Sequence, residues 1–218
     1  RTRTGVVLLA IGVLVALVPV IGIVGSLLSL AGAILVILGR KAFGARHARN
    51  VVLAIVLFLV GFVGGFLLTL GVFASIGTAI LASPSQIQAA VTNAFSNLLV
   101  GAIVIGLISG LASVLFLWEL LSTSGRILVL ASYAVSVGMD VAIYLFVMGR
   151  LGPALAAASG SPPDLTPLLA LDLQLVNLRL LDVFPTVLLA AAAYVAWSRI
   201  KSGEIPKKGT GASRASAE

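Results

Sequence analysis

Cysteine is absent from this 218-residue chain, which excludes disulfides, thiolate metal sites and a cysteine nucleophile. Histidine occurs once, at His47, so a metal cluster lacks partners of matching spacing and a serine–histidine pair inside an apolar segment cannot be built. Charge is scarce too: 10% of residues are charged and 60% hydrophobic, whereas soluble domains are about a quarter charged. Water could not solvate such a surface. No glycine-rich phosphate loop of the Walker type occurs, which argues against nucleotide-driven work within the chain.

What is present is a succession of apolar runs, several of them past the roughly 18 to 20 residues that span a hydrocarbon core. Backbone amides in lipid have no water to bond with, so spanning segments are helices or members of closed barrels. Continuous apolar runs without strict alternation select helices. The expected fold is therefore an all-α, polytopic transmembrane helix bundle of about six spans, with both termini cytoplasmic.

Residues 5–39 would measure about 52 Å as one helix, against a core of about 30 Å. Pro19, Gly22 and Gly25 offer a break, giving spans near 5–18 and 22–38, either as two spans or as a re-entrant hairpin. The Arg1-Thr-Arg-Thr4 start, with no small-residue cleavage motif after it, reads as the lead-in to a retained span. Further spans are expected at 51–73, 98–117, 127–148 and 183–197, with Ser83-Pro84 opening a polar stretch to Asn97. Residues 150–182 form an outer segment, beginning as a loop through Pro163. Leu168 to Leu181 reads either as a partly alternating strand or as an interfacial or partner-packed helix. Residues 206–218 read as a basic, polar, disordered tail beside a single helical domain over 1–205.

The net charge of +7 raises nucleic acid as a partner, but the basic residues stand beside the spans and read as a topology signal. With the N-terminus inside, 12 of the 14 basic residues fall on the cytoplasmic side and only Arg150 and Arg179 outside. Trp118 and Trp197 land at the same interface. Arg40, Lys41, Arg46 and Arg49 form a basic loop suited to anionic lipid headgroups, each cation adding about 1 kcal/mol near the surface. His47 reads as a solvated member of that loop.

Asp140 is the residue richest in implication, because it lies mid-span, where an aspartate costs about 2.5 to 3.5 kcal/mol unless it faces protein or water. Tyr133, Ser136, Asp140 and Tyr144 keep within a stripe about 80° wide on one helix face. As a site, the stripe would hold a proton or cation on Asp140, with the hydroxyls as partners. As structure, Asp140 would bond one helix to another. Asp164, Asp172 and Asp182 are assigned to the outer segment, which leaves Asp140 without a second acid for an aspartyl pair or a relay. Gly61 and Gly65, Gly106 and Gly110, Ser109 and Ser113, and Gly22 and Ser26 follow the spacing that lets membrane helices approach closely, within this chain or against another subunit.

The stretch from Gly5 to Gly65 combines an apolar run broken at Pro19-Val-Ile-Gly22, the segment Leu30-Ala-Gly-Ala-Ile-Leu-Val-Ile-Leu-Gly39, a short basic link and another glycine-rich span. In this order of features it resembles uncharacterised archaeal multi-pass membrane proteins grouped as a domain of unknown function. The resemblance covers the first third and implies an archaeal cell membrane, with no activity to transfer. The sequence thus points to a non-enzymatic multi-pass protein, a structural or accessory component with lipids and other membrane subunits or itself as partners, and without cofactor, metal or nucleic acid. The alternative is a channel or ion-coupled transporter using Asp140.

Overall fold

In a computed structural model the described residues are 1–18, 21–81, 84–158 and 164–205; the side chains of residues 22, 26, 76, 79–81, 84–88 and 179 also lie outside the description. The expectations placed on Pro19, Ser83, Pro163 and the tail fall outside these residues. Everything regular among them is helical: α1 Thr2–Ala16, α2 Gly22–Gly39, α3 Ala45–Leu81, α4 Pro84–Leu117, α5 Thr123–Ala158, α6 Thr166–Arg179 and α7 Val183–Ser202. Five stretches are long and apolar enough to cross a membrane, with α1 a shorter apolar helix. The chain is thus an all-helical protein built of potential membrane spans.

Several helices outrun their expected spans. α3, with 37 residues, rises about 55 Å, and α4 absorbs the polar stretch 84–97 from its opening proline onward. α5 passes through Arg150 and Pro153 to Ala158, where the sequence suggests a loop. Leu151 and Ala154 are buried there, and Leu151 joins Val147 and Leu171 of α6 in a small core. Packing of that face outweighs a proline that removes one backbone bond. Leu168 to Leu181 is helical rather than a strand, and a 3-10 turn at Leu180–Asp182 carries α6 into α7, so that residues 166–202 count as one potential span. Pro185 falls in the first turn of α7, where its missing N–H breaks no intrahelical bond.

The contacts divide the chain into two compact units: residues 1–58, 110–135 and from 183 on, and residues 59–109 with 136–182. In the first, α1 and α2 form a hairpin whose backbones touch. A Cβ on Gly5 would lie 2.5 Å from the carbonyl oxygen of Gly32, and one on Gly12 would lie 2.7 Å from that of Gly25. The core around the hairpin mixes small side chains, among them Val6, Val36, Val51, Ala54, Ala112, Ala192, Ala193 and Ala196, with the larger Phe116, Leu117, Leu120 and Leu121. The Ser132 hydroxyl donates to the Pro185 carbonyl at 2.6 Å, fastening α5 to the start of α7.

In the second unit α3 and α4 run antiparallel, Gly61 facing Ser109 and Gly65 facing Ile105. The outer faces stay greasy: Leu59, Phe62, Phe66, Leu67 and Phe73 of α3 are all exposed, Phe62 to 74%. A row of bare aromatic and aliphatic side chains beside a glycine-lined helix contact inverts what water demands and suits lipid.

Candidate functional site

Asp140 sits in the second unit, half-buried on α5, with its carboxylate turned onto α4. Its Oδ2 lies 2.7 Å from where a Cβ on Gly106 would stand, so the carboxylate occupies the space that the missing side chain leaves free. Ser136 and Tyr144 share that unit and are also half-buried, while Tyr133 belongs to the first unit, where its ring lies against Gly110. The four residues keep one face of α5.

The acid missing from the sequence reading is Asp182, in the 3-10 turn ahead of α7. It belongs to the same compact unit as Asp140, from which it stands 42 positions away in sequence. Among the described residues no three His, Asp or Glu side chains gather as metal ligands.

Of the small-residue pairs, Gly61, Gly65 and Ser109 meet between α3 and α4, Gly106 receives Asp140, Gly110 receives Tyr133, and Ser113 is half-buried on α4. The pair Gly22 and Ser26 includes a side chain outside the description. The closest approach of α1 and α2 rests instead on Gly5, Gly12, Gly25 and Gly32, of which Gly12 with Ala16 and Gly25 with Ser29 also follow the four-residue spacing. They repeat at seven residues on each helix and match in antiparallel order, 5 with 32 and 12 with 25. A search at heptad spacing would have found them.

Lys41, Arg46 and Arg49 are exposed, and the half-buried Arg40 donates from Nη1 to the Ile37 carbonyl at 3.0 Å. The expected basic loop is a 3-10 turn, Arg40–Phe43, a glycine at φ 98°, and the first turns of α3. His47 differs from expectation most: it is 0% exposed, edge-on to Phe43 at 5.9 Å, and neither ring nitrogen has a hydrogen-bond partner among the described residues. Helical periodicity explains the reversal, because His47 shares the inward face of α3 with the buried Val51 and Ala54.

Charge also separates between the units. Among described residues the first holds nine Lys and Arg against two acids, and the second two against four. Both tryptophans lie in the first unit under cations, Trp118 below Arg126 at 4.8 Å, and Trp197 below Arg3 at 5.7 Å and Lys201 at 5.1 Å. Compared with known proteins, the chain matches no family model, no curated protein and no solved structure.

Proposed function

We propose that this chain is a non-enzymatic multi-pass component of a cell membrane, a structural or accessory subunit that works by helix packing. Bare apolar outer faces and the glycine-to-backbone contact of α1 with α2 carry this reading, because such helices associate through close backbone approach rather than through a catalytic pocket. The resemblance of residues 5–65 supports an archaeal membrane as its setting. The charge separation supports a cytoplasmic placement for the first unit, in line with the positive-inside tendency. Purification from native membranes in mild detergent is expected to bring down a fixed partner or a second copy at constant stoichiometry. A monodisperse single chain with activity of its own would contradict the proposal.

A second reading, an ion-coupled channel or carrier, draws on one observation: the half-buried Asp140 carboxylate on α5 lies against Gly106 of α4. Ionisable groups at membrane depth face protein or water and mark ion paths. In proteoliposomes this reading expects a pH-dependent cation flux that Asp140→Asn abolishes. Absence of flux from the parent chain would remove it.

A further inference from the structure

A cleft of about 750 Å³ opens in the first unit where the start of α1, the turn after α2 and the end of α7 meet. Arg1, Arg3 and Lys201 line it, and among the described residues none that lines it is acidic. Glu204, the nearest acid in sequence, is engaged with Arg199 at 3.1 Å. Arg3 and Lys201 stand over the same Trp197 ring, so a single indole gathers two like charges that would otherwise repel. Thr2 forms part of the wall at 3% exposure, and its hydroxyl oxygen is buried with no hydrogen-bond partner among the described residues. Phe43 and Ile205 make the remaining wall apolar.

Three cations and an unpartnered hydroxyl at one cleft lack one thing, a multidentate anion. We propose that this cleft binds a phosphate ester, which in a membrane is the headgroup of an acidic phospholipid. A phosphate has oxygens enough to meet Arg3, Lys201 and the Thr2 hydroxyl together. The volume lies within the about 300 to 1,000 Å³ usual for small-ligand sites. Basic pockets between the ends of membrane helices take such headgroups. The cleft is separate from the exposed cations Lys41, Arg46 and Arg49, and the proposal holds whether the chain is a scaffold or a carrier.

Native mass spectrometry of the full chain in detergent, titrated with phosphatidylglycerol or phosphatidylcholine, tests it. Phosphatidylglycerol should bind selectively, and Lys201→Gln, an exposed change that leaves the core untouched, should weaken it about fivefold at about 1 kcal/mol per surface cation. Arg3→Gln with Lys201→Gln should weaken it about 30-fold on the same basis, whereas Arg46→Gln with Arg49→Gln, which removes equal charge outside the cleft, should cost less than about threefold. Competition by glycerol 3-phosphate or inorganic phosphate that disappears in the cleft variant would make soluble phosphates the source. Failure to compete, with the variant loss intact, would make it lipid. Equal loss in both double variants, wild-type binding by the cleft variants, or no preference over phosphatidylcholine would overturn the proposal.

Discussion

At the level of single residues, glycine decides where helices can touch and His47 shows what the packing sacrifices. Gly32→Ala would press a methyl group to within 2.6 Å of the Leu9 nitrogen and the Gly5 carbonyl, both backbone atoms that cannot rotate away. Overpacking of this kind costs about 1 to 3 kcal/mol, so the variant should melt at lower temperature in detergent. Gly71→Ala is the matched control: nothing lies within 4 Å of its Cβ position, and removing backbone freedom from a helix interior there should be neutral or stabilising by up to about 1 kcal/mol. His47 leaves two buried nitrogens without partners, at a cost of about 1 to 3 kcal/mol for each unsatisfied group, so His47→Leu should raise the melting temperature. A lowered melting point would mean that the imidazole has an unrecognised partner.

At the level of elements, helix ends carry most of the polar chemistry. The Thr166 hydroxyl and then its backbone N–H, at 2.9 Å from Oδ1, bond the Asp164 carboxylate and hold its pKa below the usual carboxylate range. A depressed acid contributes stability above its unfolded pKa and loses it as pH falls through the folded one. The start of α6 should therefore fray below about pH 4, seen as loss of amide protection at Thr166, and Asp164→Asn should flatten that dependence. The far end of α5 shows the opposite balance. Gly149, Gly152 and Pro153 read locally as a loop, yet Arg150 bonds Gln174 of α6 and stacks over Phe146 at 4.2 Å, and Leu151 packs on Leu171. Long-range burial wins there because helix stability in proteins comes mainly from the packed face rather than from propensity.

At the level of the whole molecule, charge distribution is the property most open to measurement. A chain without cysteine is a ready background for single-cysteine labelling in sealed vesicles. Lys41→Cys, in the basic turn after α2, should react with an impermeant maleimide from the cytoplasmic side, and Leu165→Cys, ahead of α6, from the opposite side. Labelling of both from one side would refute the proposed orientation. In the same experiment Phe62→Cys, on the bare face of α3, should resist labelling from either side because lipid covers it.

Composition and apolar run length alone settled that this chain is a set of membrane-length helices, because the cost of wetting such runs and of stranding backbone amides in lipid is local and adds along the sequence. The stripe on α5 and the pairs Gly61 with Gly65 and Gly106 with Gly110 were legible for a related reason: helical spacing fixes which neighbours share a face. Only the tertiary structure decided which faces meet. It buried His47 and brought Asp140 against Gly106, Tyr133 against Gly110, and Gly5 and Gly12 against Gly32 and Gly25, since helical spacing fixes which residues share a face but not which face of another helix they meet.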